Sequence, residues 1–417
     1  MTELRFPLTE AASGIWYAHH LTESPLYNTA EYLHIPAYID TDLLLQAVDA
    51  TIGSAVGLHI KCSEEEGSLY QTIPSTITFQ AEKITCSTEE AFLHMQADVE
   101  IVRNLGKDAL VRAILFSASS EEHFLYLRIH HLVSDAYSFR LIFQQINERY
   151  SALVQNKPYT KHFGDYVQMV EQDLQYKTSE QAKKDASYWI SKLQETEVIS
   201  LSRKKSSKMG QVLLHQAPLS SATWMNLQQF SKQLHVNMQE VISAAVIAYT
   251  KRMTQAKDVI VGIPMMNRFG HKAMSVPCTR VNILPLRASF NTEQTFEELC
   301  QIVKGLMDEM KPHQYYRQEQ MRRDLQLTTD DQLYGPEINF MPFYENYTFG
   351  NAKVENRKVV TGPVEDISFN FYSTPHGMQF DIVANSDLYD KTELEHHSAR
   401  FLQFLDLLLD RVDAPIF

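Results

Sequence analysis

Two periods of apolar and polar residues alternate along this chain. Residues 30–36 (AEYLHIP) follow a strand pattern, and residues 41–54 place Leu43, Leu44, Ala47, Val48 and Ile52 at helical spacing. Residues 109–116 and 123–131 (HFLYLRIHH) predict two strands joined by the polar turn SASSEE. A helix is predicted from about Tyr137 to Val154, with Pro158 beyond its end. A further helix holds Tyr188 and Trp189, and the basic, polar stretch 204–210 (KKSSKMG) after it is linker-like. The second half then begins again with helices over 221–234 and 238–254 and the strand DVIVGIP. Strands follow near 280–290, 337–343, 366–373 and 378–384, and a closing helix spans about 391–411. The order predicts a mixed α/β fold in two lobes, 1–175 and 176–417.

Composition narrows the class. With 44% apolar and 21% charged residues the chain is an ordinary globular sequence, and 417 residues exceed what one core usually serves. No apolar run reaches the ~20 residues of a membrane span, and the first residues lack a signal-peptide pattern. A cytoplasmic protein is expected. The net charge of −13 argues against a nucleic-acid partner. Cys62, Cys86, Cys278 and Cys300 lie far apart with no CxxC spacing, which predicts buried thiols and no metal site.

The chemistry concentrates in His130-His131-Leu132-Val133-Ser134-Asp135-Ala136-Tyr137-Ser138. Neighbouring strand residues point to opposite faces, so the two histidines cannot share one job. A carboxylate four residues after the second histidine can lock the turn by an ion pair and leave an imidazole for proton transfer. Ser134 and Ser138 fit either hydrogen bonds within the turn or the cap of the helix that follows.

This run resembles the HHxxxDG motif of the condensation-domain superfamily, with Ala136 in place of the glycine. LTEAASGIWYA (8–18) is similar to that family's N-terminal motif, with Trp16 in the matching place. HFGDYV (162–167), GIPMMNR (262–268), VPCTRVNILPLR (276–287) and HQYYRQEQ (313–320) resemble its later motifs in order. GLHIKC (57–62) is a loose counterpart of another, with Lys61 where a basic residue is expected. GIWYAHHLTESPLYNTAEYLHI, LYGPEINFMPF and TGPVEDISF look most like the first condensation domains of catechol-siderophore synthetases.

The resemblance implies two chloramphenicol-acetyltransferase-like lobes set as a V, with a tunnel between them. It implies His131 as the catalytic histidine with His130 and Asp135 beside it. Arg287 is the expected cation partner of Asp135 and Lys61 the second choice. Ser134, Ser138, Trp16, Asn282, Asn339 and Gly362 are candidates to line the substrate path, although Trp16 suits a core and the asparagines suit backbone groups equally well. No cofactor is bound by the domain itself, because substrates arrive on the 4'-phosphopantetheine of carrier proteins. The implied partners are a donor aryl or acyl carrier, an acceptor peptidyl carrier and a downstream adenylation domain, with no membrane partner and a monomeric domain. Beginning at Met1 fits a starter domain that joins a 2,3-dihydroxybenzoyl-type group to glycine or serine. The alternatives are an acyl-coenzyme A-dependent acyltransferase of the same superfamily and a non-catalytic carrier-docking domain.

Overall fold

The computed structural model describes residues 3–118, 122–202, 204, 209–268, 270, 272–291, 293–328, 330–341, 347–360, 362–374 and 377–416. The centre of the SASSEE turn, most of the linker-like stretch at 204–210, Pro342, Phe343 and Thr361 lie outside these residues.

The chain forms two compact units. In order, the first contains β1 (Leu4–Pro7), α1 (Glu10–Thr22), β2 (Asn28–Pro36), α2 (Thr41–Ser54), β3 (Lys61–Glu65) and β4 (Ser68–Ile73). It continues with β5 (Glu82–Thr85), α3 (Thr88–Val99), β6 (Val111–Ser117), β7 (Glu122–His130), α4 (Ala136–Val154) and α5 (Tyr166–Lys177). The second holds α6 (Glu180–Leu193), β8 (Val212–Pro218), α7 (Ser221–Leu234), α8 (Met238–Thr254), β9 (Asp258–Met265) and β10 (Asn282–Ser289). It goes on with α9 (Phe296–Met310), α10 (Gln318–Asp324) and β11 (Glu337–Met341). The chain then returns to the first unit for β12 (Tyr347–Phe349) and β13 (Ala352–Val360). β14 (Ile367–Thr374), β15 (Gly377–Asn385) and α11 (Lys391–Asp410) complete the second. The contiguous lobes read from the sequence are therefore corrected: Met266–Val281 and Glu345–Gly362 belong to the first unit. Contact between distant segments, which no local pattern records, decides this.

The first unit's main sheet runs β12-β13-β2-β7-β6-β5, beside a smaller sheet β1-β4-β3. Its central strand β7 is buried from His123 to His130, as an apolar strand covered on both faces should be. Leu125, Leu127 and Ile129 enter the core shared with Leu44 and Val48 of α2 and Ile142 and Phe143 of α4. Phe124 and Tyr126, on the other face, pack with Ala91, Met95 and Val99 of α3. The period of two thus sets the face of each residue leading to the histidines.

The second unit's sheet runs β10-β9-β11-β14-β15-β8. α8 is buried on every side from Glu240 to Thr250, in keeping with its nearly unbroken apolar sequence. Phe401 of α11 packs against Phe369, Phe371 and Phe380, with ring centroids 5.0–6.1 Å apart. Cys62, Cys278 and Cys300 are buried thiols, whereas Cys86 is partly exposed, so the expectation of four buried thiols is corrected to three. No helix among the described residues is long and apolar enough to cross a membrane.

Candidate active site

β7 delivers the histidines. His130 ends the strand and is 1% exposed, while His131 follows in the turn and is half-buried. The His131 N–H donates to the Tyr27 carbonyl at 2.7 Å, which ties its backbone to the residue before β2. Its ring nitrogen Nδ1 is buried with no partner among the described residues. The other ring edge faces Gly362: a Cβ there would stand 3.2 Å from Cδ2 and 3.7 Å from Nε2. The imidazole is thus held by packing and by its main chain.

Asp135 is the N-cap of α4 and accepts from the Ser138 N–H at 3.0 Å, so the cap is Asp135 and neither serine. Ser134 is fully buried, its hydroxyl 3.3 Å from the Asp135 carbonyl. Ser138 Oγ lies 3.0 Å from Asp135 Oδ1 and accepts from the Cys278 N–H, which makes it part of the anchor. Ala136, in the place of the motif glycine, is exposed at the first helical position, where a Cβ is accommodated without strain.

The cation of Asp135 is Arg268. Its Nη2 lies 2.9 and 3.0 Å from the two carboxylate oxygens, and the arginine side chain is wholly buried. Nη1 donates to the carbonyls of Ala273 (2.6 Å) and Val276 (2.8 Å), and Nη2 also donates to the Cys278 carbonyl (2.6 Å), while Nε is buried with no partner among the described residues. The N–H groups of Arg280 and Val281 complete the set on Asp135 Oδ2 at 2.9 and 3.2 Å. Burial pushes the Asp135 carboxyl up, but the Arg268 charge and these N–H donors outweigh it and hold the group below its ordinary value. One carboxylate therefore joins the start of α4 to the segment Met266–Val281.

The expected partners of Asp135 are corrected. Arg287 sits on β10 in the second unit and pairs at 2.5 Å with Asp258, its diagonal neighbour across the β9–β10 ladder. Lys61 lies exposed on β3 and gives its ammonium to the carbonyls of Lys107 (2.9 Å) and Asp108 (3.3 Å). Trp16 belongs to the first unit's apolar core and lies against His20, the ring centroids 4.3 Å apart and the planes tilted by 35°. Asn282 is fully buried, donates to the carbonyls of Gln314 (2.9 Å) and Tyr316 (2.8 Å), and accepts from the Gln318 N–H, so it clamps backbone. Asn339 is partly exposed on β11 in the second unit. Of the residues named from sequence, His130, His131, Ser134, Asp135, Ser138 and Gly362 come together in the first unit.

Sequence reasoning missed Arg268 and His19. Arg268 closes the GIPMMNR stretch, but nothing local marks it as the partner of a residue 133 positions earlier. His19 of α1 is 5% exposed, and its Nδ1 lies 3.3 Å from His130 Nε2.

Comparison with known proteins places this geometry. The condensation-domain family matches residues 3–416. A dimodular nonribosomal peptide synthase of Bacillus subtilis (strain 168) is 33% identical over 414 residues, covering 97% of this chain and 17% of the relative. Enterobactin synthase component F of Escherichia coli (strain K12) is 27% identical over 421 residues, covering 94% of this chain and 32% of the relative. The chain thus spans a third or less of these relatives' length. The starter condensation domain of rhizomide synthetase RzmA, solved as a double mutant with C8-CoA and Leu-SNAC, superimposes with a TM-score of 0.90 at 28% identity. That match covers 99% of this chain and 96% of the other. The fold, the histidine turn and a family match over nearly the whole length lead to one assignment: the chain belongs to the condensation-domain family, the amide-forming enzymes of nonribosomal peptide synthesis.

Proposed function

We propose that this domain transfers an aryl group of the 2,3-dihydroxybenzoyl type from a donor carrier protein to the α-amine of glycine or serine on an acceptor carrier. The observation that carries the catalytic part is His131, a packed imidazole with no side-chain partner to Nδ1, on a turn anchored by Asp135 and Arg268. An aminoacyl amine has a pKa of ~8, so a proton must be managed before or during attack. The nitrogen adds to the thioester carbonyl, the C–N bond forms and the C–S bond breaks. The amine proton is carried by His131 and leaves with the thiol sulfur. The parent protein continues with an adenylation domain and works with both carriers.

Support for the aryl donor comes from the runs around Trp16, Gly335 and Gly362 and from relatives that include enterobactin synthase component F and vanchrobactin synthetase VabF. A donor pocket built for a flat neutral ring has no counter-charge for an aminoacyl ammonium, and burying that cation unpaired is costly. A second reading, an acyl-coenzyme A donor, is favoured by the rhizomide synthetase starter domain solved with C8-CoA.

The deciding assay holds glycyl-loaded acceptor carrier constant. It varies the donor among 2,3-dihydroxybenzoyl carrier, leucyl carrier and octanoyl-coenzyme A. The aryl carrier should exceed the leucyl carrier by ~10²-fold, which corresponds to ~3 kcal/mol of discrimination. Equal rates remove the aryl reading, and octanoyl-coenzyme A as the best donor establishes the second. His131→Ala should lose ~10²-fold or more in turnover with its melting temperature kept. A folded variant at wild-type rate overturns the role of His131.

A further inference from the structure

His130 cannot reach a substrate from its buried place at the end of β7, and α1 gives it a second buried histidine as neighbour. We propose that His19 is a positioning residue for amide formation: it accepts the Nε2 proton of His130, fixes the tautomer whose Nδ1 holds the Leu132 N–H, and so sets the turn that carries His131.

The protons can be assigned from the two ends. The Leu132 N–H lies 3.1 Å from His130 Nδ1 and can only donate, so this nitrogen presents a lone pair. A neutral His130 then carries its proton on Nε2, 3.3 Å from His19 Nδ1. At the far end the Arg103 carbonyl, 3.0 Å from His19 Nε2, can only accept, so His19 is protonated there and its Nδ1 is free to accept. One donor direction satisfies every bond: Leu132 N–H to His130, His130 to His19, His19 to the Arg103 carbonyl.

Charging either ring would set N–H against N–H. The surroundings oppose it: burial and the neighbouring His19, His131, Arg128 and Arg103 push His130 well below the ordinary imidazole range. Burial also lowers His19, opposed by its bond to Arg103 and assisted by His20.

The pair is held from outside as well. Arg103 donates to Asp98 at 2.7 Å, and Arg128 donates to Asp98 at 3.1 Å and to the Leu110 carbonyl at 3.3 Å. That same carbonyl receives the His130 N–H at 2.8 Å, which closes a ring of polar contacts around His130. Tyr27 packs against both rings at 6.3–6.4 Å while its carbonyl holds the His131 N–H. A loosened His130 ring therefore frees the Leu132 N–H one residue from the catalytic histidine. Misplacing a reacting group by ~1 Å can cost ~10² in rate.

The inference rests on the amide-forming activity and is independent of the donor's identity. Glutamine reproduces both duties of His19, since its carbonyl accepts and its NH₂ donates, whereas leucine fills the space and does neither. His19→Leu should lower kcat ~10–100-fold with both carrier KM values within ~3-fold of wild type, and His19→Gln should recover to within ~3-fold. A Leu variant with wild-type kcat overturns the proposal, as does a Gln variant no better than Leu. Long-range ¹⁵N–¹H spectra of ¹⁵N-histidine-labelled wild-type protein test it without turnover, and decide it even where His19→Leu does not fold. Nε2–H signatures for His19 and His130 support it; an Nδ1–H tautomer at His130 overturns it. A wild type inactive with every donor would sink the aryl reading and leave these spectra decisive here.

Discussion

Asp135 in the first unit and Asp366 in the second are equally out of water, at 4% and 2% exposure, and each joins stretches far apart in sequence. Asp135 meets a guanidinium and main-chain N–H groups and is held below the ordinary carboxylate range. Asp366 meets two neutral hydroxyls, Ser200 at 2.8 Å and Tyr389 at 2.7 Å, both on Oδ1. Its Oδ2 is buried with no partner among the described residues. Burial raises Asp366 to about 6, and the two hydroxyl bonds offset only part of that rise. Depth alone does not decide the charge of a buried carboxyl; the donors around it do. The first aspartate is an ionised anchor for the site, and the second is a seam that takes up a proton in mild acid.

The largest effect expected from breaking this contrast comes from Asp135→Ala. It leaves the Arg268 guanidinium buried without its counter-ion, a loss of ~3–5 kcal/mol that removes activity along with stability. Urea unfolding with a parallel condensation assay measures both. A variant of wild-type stability without activity would contradict the anchoring role and give Asp135 a direct part in the chemistry. The sign of the pH response is also set: a depressed folded-state pKa gives stability that is present above the ordinary value of 3.8 and is lost as pH falls below it.

Asp366 has the opposite sign. Between its ordinary value of 3.8 and about 6 the folded chain holds a proton that the unfolded chain has released. Its contribution therefore falls as pH rises through that window and is level above it, by up to ~3 kcal/mol in total. Asp366→Asn should flatten this slope when unfolding free energy is followed from pH 4 to 7. An unchanged slope would show that Asp366 keeps an ordinary pKa and would undo the comparison.

Gly362→Ala should give the smallest effect, and it separates the anchored turn from the ring it carries. The new Cβ falls 3.2 Å from His131 Cδ2, so the imidazole must shift by tenths of an ångström while the Asp135–Arg268 pair stays intact. A drop in kcat of ~3–10-fold, ~0.7–1.4 kcal/mol in the barrier, is expected at unchanged melting temperature. An unchanged rate would mean that the ring's placement does not depend on this glycine.

Much of this molecule is stated by local rules. Apolar spacing places α2, and the local sequence also predicts α7 and α8, on the residues the structure shows. The strand period assigns the two faces of β7, and the offset of Asp135 from His131 marks the site. α3 and α9 carry legible start signals, the capping boxes Ser87/Glu90 and Thr295/Glu298, yet α3 has only a weak apolar stripe and the sequence reading assigned neither helix. Periodicity, capping and turn chemistry act over about four residues, so they are written in any short window of the chain. What the sequence left open are pairings over long separations. Asp135 finds Arg268 133 residues away instead of Arg287 or Lys61, His130 finds His19 111 residues back, and Gly362 comes to lie against His131. Those choices belong to the tertiary structure, because a buried charge takes whichever partner the packing of distant segments delivers, and no local pattern encodes that delivery.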